Sequence, residues 1–168
     1  MSRERLLASA ASFEGLGEEP RGSNRSGWID MMNTAVGADL GSPWCASFVV
    51  HCGDDSLGLY ETWPFKRTAS VQEMVDDAKA RGQFTPDASL VQPGDLVVYF
   101  HHGVERWGHI GIVKEIHLAE DAENTSTTVS IDGNTVPDSE GDSREGWCVA
   151  VKTRPIGPHT AFLIWPSP

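Results

Sequence analysis

Residues 42–50 read Ser42-Pro43-Trp44-Cys45-Ala46-Ser47-Phe48-Val49-Val50, a pattern that predicts a helix beginning just before the cysteine. Ser42 is a suitable N-cap, because its hydroxyl can accept from a free backbone N–H one turn later. Pro43 would then occupy the first helical position, where its fixed φ is favourable and its missing N–H is not needed. Cys45 is therefore expected in the first turn, where unpaired N–H groups and the helix dipole favour a thiolate. The alternative is that Cys45 is a small apolar core residue, as free cysteines usually are.

Around this segment, helical patterns fill the first half of the chain and strand patterns the second. Apolar residues at helical spacing predict helices over residues 3–13, 28–36, 41–52 and 68–81, with Gly53 ending the third. Apolar runs and alternating patterns predict strands over residues 96–100, 109–116, 127–134, 148–152 and 161–164. This order indicates an α+β fold in which N-terminal helices pack on a central antiparallel sheet of about five to six strands.

Length and composition indicate a single soluble domain over residues 1–168. The chain is long enough for one domain with its own core and too short for two comfortable ones. Its net charge is −11 and it has no basic stripe, which argues against a nucleic-acid partner. No apolar run approaches the ~20 residues of a membrane helix, so no membrane insertion is expected. We expect a monomer.

The cysteines and the N-terminus indicate the compartment. Cys45, Cys52 and Cys148 cannot all pair within one chain, and three cysteines are too few for a disulfide scaffold. No CxxC, HxxxH or DxDxDG pattern is present, so we expect neither a metal site nor a cofactor. The N-terminal apolar stretch is too short for a secretory signal peptide. The sequence therefore predicts synthesis in the cytoplasm with reduced thiols, one of which is a candidate reactive thiol.

His109 is the candidate base for Cys45, since cysteine catalysis needs a base beside the thiol and a polar group that orients the base. It opens the strand predicted over residues 109–116, directly after the turn at Trp107. Gly111 shares its face of that strand and would leave open space beside the imidazole, as a substrate cleft requires. We therefore expect Gly111 to lie at the substrate. The alternative is a histidine that merely caps a strand.

The group that orients His109 is expected in the segment Asp132-Gly133-Asn134. Asp132 and Asn134 share one face of the strand predicted over residues 127–134, and Ile131 lies on the other. A neighbouring antiparallel strand would bring either side chain to the far ring nitrogen of His109. Both residues remain candidates. The same segment is also an ordinary turn signal.

The order of these pieces resembles the CHAP and NlpC/P60 superfamily of papain-like peptidoglycan hydrolases. The matching segments are Gly22-Ser23-Asn24, Pro43–Val49, Pro93–Val98, Gly108–Val113 and Asp132-Gly133-Asn134. The resemblance implies a papain-like fold with Cys45 as nucleophile, His109 as general base and the third polar residue in the last segment. CHAP members usually carry glutamate where Asp132 stands. The glutamine of the oxyanion hole in papain has no obvious counterpart.

The resemblance implies hydrolysis of an amide bond in the peptide part of peptidoglycan. Trp44, Trp63 and Trp107 are candidate cleft walls, with core packing as the alternative for each. The expected setting is a phage endolysin, or an antibacterial effector with an immunity protein as its partner. Either would act at the cell wall or in the periplasm after export, injection or phage lysis. The alternatives are a non-catalytic phage or cell-wall protein of the same fold, and a cysteine hydrolase or acyltransferase with another substrate.

Overall fold

A computed structural model describes residues 3–59, 61–121, 125–140 and 146–166. Within these ranges the helices precede the strands, as the sequence predicts. The helices are α1 (Arg3–Ser12), α2 (Gly27–Ala35), α3 (Cys45–Asp55) and α4 (Val71–Ala80). The strands are β1 (Phe84–Thr85), β2 (Leu96–His101), β3 (Arg106–His117), β4 (Thr127–Thr135), β5 (Cys148–Pro155) and β6 (Thr160–Leu163). None of the described helices combines the length and the apolar character needed to cross a bilayer.

The strands form one antiparallel sheet in the order β1-β6-β2-β3-β4-β5. Strands β2 to β5 are each paired with their neighbour in the chain, and β6 returns to lie between β1 and β2. The observed architecture confirms the predicted α+β fold with an antiparallel sheet of about five to six strands. The sequence did not predict β1, because a strand of two residues is too short to show a period.

One face of the sheet carries the main core and supports α3. Phe48 and Val49 of α3 lie in one buried cluster with Ile110, Ile112 and Ile131, and none of these side chains is more than 2% exposed. Burial of each such side chain stabilises the fold by about 1.5–3 kcal/mol. This packing holds α3 against β3 and β4 and so fixes the position of Cys45.

Gly53 does not end α3, contrary to the prediction, because the helix continues to Asp55. A Cβ at Gly53 would lie 2.4 Å from a ring carbon of Trp63. The glycine therefore serves the close packing of Trp63 on the helix. Trp63 is 9% exposed and packs edge-on against Phe65, so it belongs to the core.

A short N-terminal segment runs along β5 and extends the sheet at that edge. The backbone of Val149 accepts from the N–H of Gly15 at 2.9 Å and donates to the carbonyl of Leu16 at 2.8 Å. The N–H of Glu18 donates to the carbonyl of Trp147 at 2.7 Å. This pairing carries Glu18 to the functional site.

Candidate active site

Cys45 is the first residue of α3 and lines a cavity of about 840 Å³, called here the Cys45 cavity. The N-cap is Trp44, with φ −121° and ψ 12°, so the prediction of Ser42 as N-cap was wrong and Pro43 lies before the helix. The cap makes no side-chain hydrogen bond to the helix start, which leaves its N–H groups available. Cys45 itself lies in the first turn, as expected, and is 5% exposed.

His109 lies between Asp132 and Cys45. Its Nε2 is 2.8 Å from Oδ2 of Asp132, which is fully buried. Cys45 and His109 line the same cavity, and Nδ1 is the ring nitrogen that Asp132 leaves free to face the thiol. Because β3 begins at Arg106, His109 lies inside the strand and does not open it. The fold therefore brings a thiol, an imidazole and a carboxylate together in sequence order at one wall of the cavity.

The neighbours of His109 favour its protonated form. Burial alone lowers the pKa of His109, but the hydrogen bonds to Asp132 and Cys45 and the charges of both outweigh it, and the pKa rises to about 9. An imidazolium beside a thiol favours the thiolate. The same imidazolium can donate a proton to a leaving group. Cys45 and His109 can therefore supply the nucleophile and the proton donor that acyl transfer requires at neutral pH.

Arg154 of β5 holds the carboxylate of Asp132 from the other side. Its Nη1 donates to Oδ2 of Asp132 at 2.5 Å, and its guanidinium lies over the ring of Tyr99, 4.9 Å from the centroid. Burial raises the pKa of Asp132, but the hydrogen bond and charge of His109, together with the charge of Arg154, outweigh it and lower the pKa. Arg154 was not predicted, because the strand was expected to end at Lys152. Two more residues of alternation would have placed Arg154 on the face of Asp132.

Gly111 makes room for a carboxylate and not for a substrate. A Cβ at this position would lie 2.0 Å from Oδ1 of Asp132 and 3.3 Å from Cβ of Ser130. The residue is buried within β3. The expectation that Gly111 lies at the substrate was therefore wrong, because the space beside the imidazole is filled by Asp132.

The model of the CHAP domain family matches residues 37–134, a span that includes Cys45, His109 and Asp132. The chain belongs to the CHAP family. The match confirms the resemblance found in the sequence. CHAP domains are generally cysteine- or amidase-type hydrolases, and the family indicates a hydrolase that acts on peptidoglycan. No curated protein and no solved structure matches the chain.

Within this CHAP domain, Asp132 and Asn134 have different positions. Asp132 takes the place beside Nε2 of His109, whereas Asn134 lines the Cys45 cavity with a left-handed φ of 54°. A register shift in the pairing with β5, between Asp132 and Thr135, separates the two positions. Of the two alternatives left open by the sequence, the structure places Asp132, and not Asn134, at hydrogen-bond distance from His109.

The tryptophans predicted as cleft walls lie elsewhere. Trp44 is fully buried in the core, and its indole Nε1 donates to Oε1 of Glu18 at 3.1 Å. Trp107 packs against the rings of Phe84 and Phe100, with centroid distances of 5.7 and 5.5 Å, and does not line the cavity. The expectation that Trp44 and Trp107 contact a substrate was therefore wrong, because large aromatic side chains gain more from burial in the core.

Several parts of the chain line the Cys45 cavity besides Cys45 and His109. The N-terminal loop contributes Glu18 and Asn24, the end of β2 and the turn after it contribute residues 100–104, and β5 contributes Arg154. Its volume lies in the range of clefts that bind small molecules or short peptides. In the described residues, no group of three or more His, Cys, Asp or Glu side chains is placed to hold a metal ion.

Asp132→Asn should lower the pKa of His109, because the hydrogen bond and charge of the carboxylate both raise it. The imidazolium would then lose its proton at a lower pH than the value of about 9 in the wild type. An NMR titration of the His109 ring measures this directly, and the other histidines serve as an internal control. An unchanged His109 titration would show that Asp132 does not set its charge.

Arg154→Met should destabilise the fold by about 1–3 kcal/mol, because a buried carboxylate loses one of its charged partners. Urea unfolding measures the change. The matched control is Arg106→Met, since Arg106 lines the same cavity but is exposed, and we expect its stability to stay within about 0.5 kcal/mol of wild type. Equal effects of the two substitutions would contradict a special role of Arg154.

Proposed function

We propose that this CHAP domain hydrolyses an amide bond in the peptide part of bacterial peptidoglycan. The observation that carries the proposal is the position of His109, which is hydrogen-bonded to Asp132 at 2.8 Å and lines one cavity together with Cys45. This is the arrangement that nucleophilic acyl transfer requires: a nucleophile, a base beside it and a group that orients the base. The family supplies the substrate class.

The reaction follows from the geometry in two stages. The thiolate of Cys45 attacks the amide carbonyl, and the negative charge on the carbonyl oxygen develops at the N-terminus of α3, where the N–H of Cys45 can stabilise it. His109 then protonates the leaving amine, the C–N bond breaks, and a thioester remains on the sulfur. His109, now neutral, takes a proton from water as the water attacks the thioester and releases the acid and the thiolate. Asp132 holds the ring by Nε2 throughout.

The cavity has the polarity that a charged peptide requires. Glu18 and the cation Arg106 both line the space. A peptide that carries both amine and carboxylate groups can therefore find an opposite charge for each. A cavity for an uncharged acyl group would need mainly apolar walls.

The test of the proposal is digestion of purified sacculi followed by mass spectrometry of the muropeptides. We expect new products that each account for one hydrolysed amide bond, and the cleaved bond follows from their masses. The Cys45→Ala protein should release none of them. The proposal would be contradicted if folded wild-type protein cleaved no amide bond in sacculi of several peptide types.

We further propose that the chain reaches peptidoglycan either as a phage endolysin or as an injected effector with an immunity protein. Expression directed to the periplasm should then lyse cells, whereas expression kept in the cytosol should not. Protection by the product of a neighbouring gene supports the effector, and a neighbouring holin gene supports the endolysin. Growth unaffected by periplasmic expression would contradict both settings.

A further inference from the structure

Two buried oxygen acceptors on one wall of the Cys45 cavity have no hydrogen-bond partner in the described part of the chain. One is Oε2 of Glu18, a residue that is only 8% exposed. The other is Oδ1 of Asn134. Both residues line the cavity together with Cys45. Leaving a buried acceptor without a donor costs about 1–3 kcal/mol, so a partner from outside the chain is expected to compensate.

Backbone hydrogen bonds bring the segments that carry the two acceptors together. The carbonyl of Trp147 accepts from the N–H of Glu18 at 2.7 Å, and the N–H of Trp147 donates to the carbonyl of Thr135 at 2.8 Å. Trp147, the residue just before β5, therefore links Glu18 to Thr135, the residue that follows Asn134. Asn134 lies at the register shift after Asp132 and has a left-handed φ. At this position Asn134 lines the cavity.

Two of the nearby cations, Arg21 and Arg154, have other partners. Arg21 binds Glu140 at 2.5 Å and lies over the ring of Trp147, 4.5 Å from its centroid. Arg154 donates to Asp132 and to Oγ1 of Thr135. The only partner of the Glu18 carboxylate among the described side chains is the indole of Trp44, on Oε1.

We infer that Glu18 and Asn134 form a subsite for a primary ammonium group of the substrate, next to the scissile bond. An ammonium has three donors and no acceptor, so it can satisfy a carboxylate oxygen and an amide oxygen at the same time. This inference rests on the proposed function and specifies its substrate class: a stem peptide cut close to a free amine. The amine belongs either to the peptide N-terminus or to the side chain of a diamino acid, and the two sources share this chemistry.

Binding of synthetic stem peptides to the Cys45→Ala protein tests the inference without turnover. Three peptides are compared by calorimetry: one with both amines free, one acetylated at the N-terminus and one acetylated at the diamino-acid side chain. We expect one of the acetylations to weaken binding about 10- to 100-fold, because it removes a charged hydrogen bond. The acetylation that does so identifies the amine that the subsite holds.

The decisive variant is Glu18→Gln in the same background. Its amide oxygen can still accept from Trp44, so the fold is kept, but its NH₂ group would face the ammonium. We expect the free-amine peptide to bind about 10- to 100-fold more weakly and the discriminating acetylation to lose its effect. Glu19→Gln is the matched control, since it removes the same charge from an adjacent exposed residue and should leave the discrimination intact.

The outcomes separate this inference from the proposed function. If all three peptides bind alike, or if Glu18→Gln keeps the wild-type discrimination, the ammonium subsite is overturned while digestion of sacculi by the wild type can still support the hydrolase. If the peptides bind with the expected discrimination but sacculi stay intact, the subsite stands and the hydrolase proposal fails.

Discussion

Replacing Cys45 with alanine is expected to lower kcat/KM for peptidoglycan hydrolysis by at least about 10⁴-fold. The reason is that Cys45 places a thiol at the start of α3, on the lining of the cavity that His109 also lines. The fold should persist, since the change removes one atom from a small side chain and costs about 1 kcal/mol. Muropeptide release and circular dichroism measure the two effects. Activity close to wild type would refute Cys45 as nucleophile.

The other two cysteines provide an internal control for the reactivity of Cys45. Burial raises the pKa of Cys52 far above its usual range, and burial together with Glu140 raises the pKa of Cys148 to about 11. Both therefore stay as unreactive thiols at neutral pH. Iodoacetamide at pH 7 should label Cys45 first, as peptide mapping by mass spectrometry would show. Slow labelling of Cys45, at the rate of an ordinary thiol, would favour the non-catalytic binding protein.

Gly111→Ala should impair catalysis nearly as much as the loss of a triad member, by about 10²- to 10⁴-fold. The new Cβ would lie 2.0 Å from Oδ1 of Asp132, so the carboxylate must leave its position beside His109. The strand cannot yield, because β3 is paired on both sides, with β2 and with β4. Overpacking at a fully buried site also costs about 1–3 kcal/mol of stability.

The pKa of His109 separates this mechanism from a general loss of structure. If Asp132 is displaced, the pKa of His109 falls below about 9, as in Asp132→Asn. The control is Gly157→Ala, where a Cβ would meet nothing within 4 Å and activity, stability and the His109 titration should all be retained. A Gly111→Ala protein with wild-type activity and an unchanged His109 titration would show that Asp132 does not occupy this space.

The helix start and the histidine strand could be predicted because their signals are local. A proline before an apolar run indicates a helix start, and alternation indicates a strand. The cap residue could not be predicted from preference alone. Ser42 has a hydroxyl, which is favourable at an N-cap, and Trp44 has none. Burial of Trp44 and its hydrogen bond to Glu18 nevertheless set the first residue of α3. Tertiary packing here overrides the local preference.

The choice between Asp132 and Asn134 depends on register, which the sequence does not show. The shift in the pairing of β4 with β5 after Asp132 puts only one of the two side chains on His109. Gly111 illustrates a related difficulty. A glycine beside a catalytic histidine predicts an empty space, but only the position of the next strand shows what fills it.

Glu18 and Arg154 were missed for a different reason. Each lies far along the chain from the residue it serves, and no motif surrounds either of them. Glu18 reaches the cavity through the edge pairing with Trp147, and Arg154 reaches Asp132 across neighbouring strands. The alternation of β5 gives the face on which Arg154 lies, but only the topology of the sheet shows which side chain each of these residues meets.

The pairing of the N-terminal segment with β5 both covers an edge of the sheet and positions Glu18 at the Cys45 cavity. An outermost strand with free amide groups is a template for association with other chains, and here Gly15, Leu16 and Glu18 occupy those groups on Val149 and Trp147. The same few hydrogen bonds shield this edge of the sheet from such association and bring an acidic side chain to the Cys45 cavity. Mutations that loosen this segment would therefore be selected against on two independent grounds.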